Sequence, residues 1–458
     1  MNKKKFVIPH VYVIIMFLLL LATIATWIIP AGTYDFMEVN GRNVVDPASF
    51  HYIEQTPVSL WDMVLSVEQA MISRAELIFA AFLITGAVSI INHTHALDAT
   101  IGRVAALCRE RLYIAVPLFM VPFLLLGAMG MAEQNLAFVP LGITVGYALG
   151  GDVLVGVALV LLGMSAGFSL APFGTSTTAT AQTIAGLPLY SGWGYRTVCI
   201  LVLWLITSAY IIHYIKKIRR DPTASPVYGD MEVVQPGEKV QLENVTVRRI
   251  LVLGIFLGAF GALVFNVVRG QCTFAVMVGI FLVAGLLSGV VYGYTPNQMA
   301  EYFVEGCTNM AFGALFIGVA SSIGLVMSNG NIVYTCVHAL CTLLGGLPTP
   351  VAAVAMNCIN ILVNFFIVSG SGQAATVMPI LSPTASVLGI TQQSTILAYQ
   401  LGDGFTNMLY PHSGTLAAGL AFGRVSWVKW SRWVWKFILL ETVVGWGLIL
   451  IAVMMNWG

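Results

Sequence analysis

Two carboxylates stand alone in long apolar stretches of this sequence. Glu133 is the only Asp, Glu, Lys or Arg within residues 112–151, and Asp403 is the only one within residues 306–423. An ionisable side chain costs free energy inside a bilayer, so an isolated acid there is by default a functional residue. No equally isolated Lys or Arg accompanies these acids. Their ionised forms therefore favour a cation, either an inorganic ion or the amino group of a substrate.

Small polar residues beside Gly and Pro surround each acid, and the pattern occurs twice. Pro140 lies 32 residues before Pro172, and Pro379 lies 32 residues before Pro411. Interrupted backbone at membrane depth must line a protein or water cavity, because lipid cannot satisfy its N–H and C=O groups. Broken helix N-termini suit a carboxylate, and unwound carbonyls suit Na⁺ or an ammonium group. The candidate binding residues are Glu133, Gln134, Asn135, Pro172, Gly174, Thr175 and Ser176 in the first copy, and Ser369, Ser371, Gly372, Gln373, Asp403, Thr406, Asn407, Pro411 and Ser413 in the second.

The elements that carry these residues form two similar halves. Hydrophobic residues make up 58% of the 458 residues and charged residues only 9%, which is typical of a multi-pass membrane protein. Basic clusters flank the apolar segments and orient the matched segments in opposite directions. The sequence therefore predicts an all-α membrane protein with two inverted repeats, residues 1–215 and 248–458, joined by a cytoplasmic linker at residues 216–247. Matched pairs of Gly- and Pro-broken segments are the sequence sign of a secondary transporter built from repeats.

Each predicted repeat contains a re-entrant hairpin and a broken transmembrane helix. The hairpins are expected at residues 112–127 with 131–149 and at residues 350–388, and the broken helices at residues 152–186 and 394–422. The other predicted spans are residues 11–30, 76–92, 195–215, 249–268, 272–294, 310–327 and 433–455. Segments that mix apolar and charged residues predict helices lying along the membrane surface at residues 58–70, 95–108 and 296–306. The N-terminus is expected in the cytoplasm, and the acidic loop 35–62 and the C-terminus are expected outside.

Other motifs indicate little chemistry. The seven cysteines show no Cys-x-x-Cys spacing and are interpreted as free thiols. His93 and His95 do not share a helix face, so no metal site is predicted, although Na⁺ at the hairpin tips is open. His338 is interpreted as structural, whereas His412, inside the second break, suits either substrate contact or packing. There is no Walker motif and no catalytic dyad, and a net charge of +1 argues against nucleic-acid binding.

Four motifs together resemble a known family: Gly130-Met-Ala-Glu133, Ile184-Ala-Gly-Leu-Pro-Leu-Tyr-Ser-Gly192, Ser369-Gly-Ser-Gly-Gln-Ala-Ala375 and Gly402-Asp-Gly-Phe-Thr-Asn407. They are similar to the YfcC-type branch of the C4-dicarboxylate carrier (DcuC) family, whose members are labelled as candidate basic amino-acid antiporters. The resemblance covers nearly the whole chain. It implies membership of the ion transporter superfamily, with substrate carried by an elevator motion. It also implies substrate sites at the hairpin tips and the breaks, namely Glu133–Asn135, Ser369–Gln373, Ala171–Thr177 and Thr406–Ser413.

The residues and the resemblance together predict a secondary active transporter of amino acids, including basic ones, or of related small carboxylates. We expect it in the bacterial plasma (inner) membrane as a homodimer within the lipid bilayer. It would take a small-molecule substrate, use no cofactor, and work by exchange or by coupling to Na⁺ or H⁺. The runner-up is a C4-dicarboxylate transporter, against which the isolated acids argue mildly. A channel or receptor without alternating access is a third alternative, and nothing in the sequence favours an enzyme.

Overall fold

The structure is a computed structural model that describes residues 11–39, 42–46, 48–96, 110–174, 177–230, 246–269, 271 and 273–458. Most of these residues are helical. The helices, in chain order, are α1 (Val11–Ile28), α2 (Leu60–Ser73), α3 (Ala75–His93), α4 (Leu112–Ala128), α5 (Val139–Ala148), α6 (Val153–Phe168), α7 (Thr178–Ile184), α8 (Trp193–Arg220), α9 (Val247–Val268), α10 (Phe274–Tyr292), α11 (Pro296–Asn329), α12 (Val333–Thr342), α13 (Thr349–Phe366), α14 (Gly370–Val387), α15 (Gln392–Gly404), α16 (Gly414–Phe422) and α17 (Trp427–Met454). Short 3-10 turns lie at Glu133–Phe138, Pro222–Ala224 and Thr406–Met408.

The centre of the molecule is formed by α6 and α15. Every residue of α6 from Val153 to Gly167 is buried, and so is every residue of α15 from Gln393 to Gly404. A helix that is apolar on all sides, as α6 is, fits only inside a bundle. Helix α15 is equally enclosed although it carries Gln, Ser, Thr and Asp, so it brings polar groups into the core. Both central helices end at a break.

Helical segments separated by breaks occur in the same order in each half. Helices α4 and α5 cover the first predicted hairpin, and α13 and α14 cover the second. Helix α6 ends at Phe168 and α7 begins at Thr178, so the first break surrounds Pro172. Helix α15 ends at Gly404 and α16 begins at Gly414, so the second break surrounds Pro411. A long helix follows each break, α8 in the first half and α17 in the second.

Two predicted helices around residue 306 are a single helix. The surface helix expected at residues 296–306 and the span expected at residues 310–327 merge into the 34 residues of α11. Its start is fixed by a capping box between Thr295 and Gln298, which satisfies free amides at the helix N-terminus. Charges on its first turns suggested a separate surface helix, but nothing in the sequence terminates it before Asn329. The sequence also did not predict α12, which follows α11 at a bend of 89°.

The segment after α1 contains short strands that the sequence did not predict. The strands are β1 (Gly32–Thr33), β2 (Phe36–Val39), β3 (Arg42–Val45) and β4 (His51–Tyr52), with β1 antiparallel to β4 and β2 antiparallel to β3. Strands this short carry too little alternation to be recognised. His338 belongs to this region rather than to an apolar loop. It lies in α12, its Nδ1 is 2.9 Å from Tyr34 Oη, and its ring stacks on Phe50.

The outer helices present apolar surface. Within the described residues four helices are long and apolar enough to cross a membrane: Trp193–Arg220, Phe274–Tyr292, Thr349–Phe366 and Trp427–Met454. Two bent pairs raise the number to six, Leu60–Ser73 with Ile78–His93 and Ser321–Asn329 with Val333–Leu340. Shorter apolar helices, such as Val153–Phe168, fall below the length of a span because a break ends them. Residues 97–108 of the predicted helix 95–108 and residues 231–245 of the predicted linker lie outside the described residues.

Candidate substrate site

A cavity of about 630 Å³ brings both hairpin tips and both breaks to one place. Glu133 contributes from the first tip and Ser369 from the second. Thr177 contributes from the first break and Asn407 from the second. The opposite wall consists of residues of α11, α12 and the junction of α2 with α3. This volume is within the usual range for a small-molecule site.

The predicted binding residues fall into three groups around this cavity. Those in the wall are Glu133, Ser369, Ser371, Gly372, Asn407 and Ser413. Those buried behind the wall are Asn135, Gln373, Asp403 and Thr406, while Pro172, Gly174 and Pro411 are buried within the breaks. Thr175 and Ser176 lie outside the described residues, and so does the side chain of Gln134.

Asp403 is buried directly beneath the second hairpin tip. A β-carbon added to Gly370 would lie 2.7 Å from Asp403 Oδ2, and the Tyr399 hydroxyl donates a hydrogen bond to the Gly370 carbonyl. Asp403 Oδ1 accepts a long hydrogen bond of 3.4 Å from Asn407 Nδ2. Among the described residues, Oδ2 has no hydrogen-bond partner. A buried carboxylate oxygen without a donor requires a proton or a cation.

The two broken helices touch each other at their breaks. A β-carbon added to Gly404 would lie 2.3 Å from Ser169 Cα, so the two backbones are in direct contact. Gln400 Nε2 donates to the Phe168 carbonyl at 2.9 Å, and Ser165 Oγ is 3.5 Å from the Gly404 carbonyl. Each half therefore supplies a hydrogen-bond donor to a carbonyl at the C-terminal end of the other half's broken helix. Such terminal carbonyls have no donor within their own helix.

The side chain of Asn364 in α13 holds the second break in place, and Gln373 joins α14 to the same helix. Asn364 Nδ2 donates to the Asp403 carbonyl at 3.0 Å and to Thr406 Oγ1 at 2.7 Å. Gln373 Nε2 donates to the Asn360 carbonyl at 3.0 Å. Asn364 Oδ1 and Gln373 Oε1 are buried without a donor from the described residues. Amide and carboxylate oxygens are the ligands that hard cations prefer. No group of three or more His, Cys, Asp or Glu converges within the described part of the chain.

His412 combines the two roles that the sequence left open. It is 4% exposed and belongs to the cavity wall. Its ring centroid lies 4.7 Å from that of Phe365 and 5.5 Å from that of Tyr410. Aromatic packing therefore fixes the imidazole, and both of its ring nitrogens are buried without a hydrogen-bond partner among the described residues.

Three charged residues within helical segments were missed by the search for charge-free stretches. Arg74 is among the residues that line the cavity, and it is a positive charge that the sequence did not assign to the site. Arg196 is fully buried and donates to the Leu170 carbonyl at 3.2 Å. Glu441 is fully buried and accepts a hydrogen bond of 3.1 Å from Thr207. Arg196 and Glu441 fall inside the predicted spans 195–215 and 433–455 but were given no role, and Arg74 lies just before the predicted span 76–92.

The comparisons with curated proteins identify relatives that match over nearly the full length. The model of the C4-dicarboxylate anaerobic carrier family (DcuC) matches residues 8–454. YfcC of Escherichia coli (strain K12), named as a candidate basic amino acid antiporter, is 29% identical over 470 residues, which cover 94% of this chain and 93% of YfcC. A Haemophilus influenzae protein that is named only as uncharacterized is 24% identical over 500 residues, covering 99% of this chain and 98% of that protein.

Two solved transporter structures also align with the chain. The YdaH transporter of Alcanivorax borkumensis has a TM-score of 0.43 at 14% identity, covering 98% of this chain and 99% of that one. MtrF of Neisseria gonorrhoeae, described with a class of antimetabolite efflux pumps, has a TM-score of 0.42 at 16% identity, covering 98% and 96%. The family match over residues 8–454 is the finding that decides the assignment: the chain belongs to the C4-dicarboxylate anaerobic carrier family of membrane transporters.

Proposed function

We propose that this chain is a secondary active transporter of amino acids and that the cavity between the hairpin tips and the breaks is its substrate site. One observation supports this most strongly. The segments around Pro140 and Pro379 are 239 residues apart in the sequence, yet both contribute to one cavity of about 630 Å³. The wall of that cavity includes Glu133, and Asp403 lies just behind it. A membrane-embedded cavity with acids favours a substrate that carries an ammonium group.

The two acids have different tasks in this proposal. Glu133 faces the cavity, so it binds the cationic group of the substrate. Asp403 is 0% exposed, so it binds a coupling ion, Na⁺ or H⁺, beneath the tip. Glu133 lies in the wall of the cavity and Asp403 directly beneath the second tip, which is part of the same wall. A cation bound at Asp403 cancels the negative charge there, so it weakens the attraction of the site for a net positive substrate and lessens its repulsion of a carboxylate. The sign of that coupling separates exchange from symport.

The division of the cavity wall suits an elevator motion. The tips and breaks are joined to one another through contacts such as Gln400 with Phe168, so they form one body. The opposite wall contains Ser328 and Asn331 at the end of α11, which the predicted topology places outside. In this proposal the cavity is open to the outside, and the tips and breaks carry the substrate inward past α11. The proposal retains the two inverted repeats and the inner-membrane location that the sequence predicts.

A C4-dicarboxylate is the second candidate substrate class. It is favoured by the description of the family and by Arg74 in the cavity wall. Its disadvantage is that a ligand with two carboxylates places negative charge near Glu133 and Asp403, where like charges repel.

The proposal is tested by uptake into proteoliposomes that contain the purified protein. Labelled lysine, arginine, glutamate and succinate are supplied outside, with an inward Na⁺ gradient, with an inward H⁺ gradient, or with unlabelled amino acid inside. We expect an amino acid to accumulate above its external concentration under one of these conditions, and Glu133→Gln to reduce that accumulation. Accumulation of succinate alone would favour the second candidate. Equilibration without accumulation under every condition would indicate a channel and contradict the proposal.

A further inference from the structure

We infer that the ligand of this cavity is a zwitterion, with its carboxylate bound by Arg74 and its cationic group bound by Glu133. This inference rests on the proposed function and narrows the substrate class. Among the described residues that line the cavity, Arg74 and Glu133 are the ones with Arg, Lys, Asp or Glu side chains. The wall thus offers one positive and one negative group to a single ligand.

The position of Arg74 is fixed by the junction between two helices. Its backbone N–H donates to the Ala70 carbonyl at 3.1 Å, and its carbonyl accepts from the Ile78 N–H at 3.0 Å. Helices α2 and α3 meet here at an angle of 61°. The backbone of Arg74 therefore closes α2 and opens α3, and this geometry holds its Cα at the edge of the cavity while the side chain remains exposed.

The two charges do not neutralise each other. The described ion pairs are those of His93 with Glu305 and of Lys429 with Asp230, and neither includes Arg74 or Glu133. Within the described residues, no hydrogen bond to either side chain is found. Two opposite charges that share a cavity without meeting leave room for a ligand that satisfies both. A guanidinium binds a carboxylate through two parallel N–H···O bonds, whereas a carboxylate binds an ammonium or guanidinium group.

The arrangement discriminates between ligand classes. A dicarboxylate satisfies Arg74 but places its second carboxylate toward Glu133. A diamine satisfies Glu133 but leaves Arg74 unpaired and brings a second positive charge into the cavity. An amino acid satisfies both groups. When Asp403 is ionised and holds no coupling ion, its negative charge nearby adds a preference for an amino acid with a cationic side chain.

The test compares an amino acid with its decarboxylated amine. Lysine and cadaverine differ by the carboxylate alone, and each competes with labelled amino acid for uptake by wild-type protein and by variants in proteoliposomes. We expect Arg74→Gln to weaken competition by lysine at least tenfold and not to weaken competition by cadaverine, which no longer meets the positive charge of Arg74. Glu133→Gln is expected to weaken both. Arg111→Gln, which removes an exposed arginine at the start of α4 outside the cavity wall, serves as the matched control and should change neither.

A second variant tests the position of Arg74 without relying on Arg74→Gln, whose loss of binding could come from misfolding. Arg74→Cys, in a background without the native cysteines, is expected to react with a charged, membrane-impermeant thiol reagent. Lysine, supplied at a concentration raised at least tenfold to offset the lost guanidinium, should protect the cysteine because its carboxylate lies there, whereas cadaverine should not. Unchanged competition by lysine in Arg74→Gln, or equal loss for lysine and cadaverine, would overturn the inference while leaving amino-acid transport intact. Accumulation of succinate and of no amino acid by the wild type would overturn both proposals together.

Discussion

The tip of the second hairpin should tolerate no side chain at Gly370. A β-carbon at this position would lie 2.7 Å from Asp403 Oδ2 and 2.7 Å from Thr177 Cγ2, whereas ordinary contacts begin at 3.4 Å. The difference, 3.4 − 2.7, requires a shift of at least 0.7 Å. The tip cannot easily move away, because the Tyr399 hydroxyl holds the Gly370 carbonyl and Thr177 lies on another side. Gly370→Ala therefore strains the position in which the tip packs against Asp403 and Thr177, which we call the seated position.

The expected magnitude follows from the cost of overpacking. Extra methyl groups in a packed region cost about 1–3 kcal/mol. Ala also favours folding because it restricts the unfolded chain. This gain is the same whether the tip is seated or has moved away from Asp403, so it does not offset the strain in the seated position. If the seated tip is required for binding, its population falls by roughly 5- to 150-fold, and transport falls with it.

A series of three glycines isolates the effect. At Gly372 the nearest contact of an added β-carbon is the Ser369 hydroxyl at 3.3 Å, which can rotate, and at Gly258 nothing lies within 4 Å. We expect proteoliposome uptake to fall most for Gly370→Ala, slightly for Gly372→Ala and not at all for Gly258→Ala, with similar melting temperatures in detergent. Wild-type uptake by Gly370→Ala, or an equal loss in all three variants, would refute the steric argument.

Two further predictions concern topology and stability. Cysteines introduced at Glu54 and at Tyr228, both exposed positions, should react with an impermeant reagent from opposite sides of the membrane in a cysteine-free background; reaction from the same side would contradict the predicted orientation. Asp152→Ala should destabilise the protein by about 2–3 kcal/mol, because the carboxylate caps α6 through the Val155 N–H and accepts hydrogen bonds of 2.6 Å from Tyr214 and 2.7 Å from Ser225. Thermal melts in detergent measure this loss, and Asp221→Ala, at an exposed cap, should change the melting temperature far less; equal shifts would show that burial of Asp152 is unimportant.

The hairpins and breaks could be predicted because Gly, Pro and isolated charges mark them in the sequence. Pro172 and Pro411 both lie within breaks, and the tips at Glu133 and Ser369 both reach the cavity. These features depend on local backbone chemistry. The orientation of the repeats and the limits of the three predicted domains remain predictions.

The features of the site that the sequence did not predict depend on tertiary contacts. Arg74 enters the site because α2 and α3 bend at it, and no local signal distinguishes it from a surface arginine. Gly370 rather than Gly372 meets Asp403, although both belong to the same motif, because contact across the tip depends on which face of α14 turns inward. Gly174 is also confined, but by Ala171 and Thr177 of its own break, so packing accounts for a glycine at this predicted binding position.

The role of Asp403 is the central claim, and Asp403→Asn tests it most directly. The substitution preserves the shape of a buried side chain and removes its charge. The measurement is substrate binding and proteoliposome uptake as a function of Na⁺ concentration and pH, for wild type, Asp403→Asn and the control Asp221→Asn. We predict that Asp403→Asn lowers uptake at least tenfold, which corresponds to about 1.4 kcal/mol, and that substrate binding loses its dependence on the coupling ion. Wild-type uptake with unchanged Na⁺ and pH dependence in Asp403→Asn would contradict the account and leave Glu133 as the charged candidate.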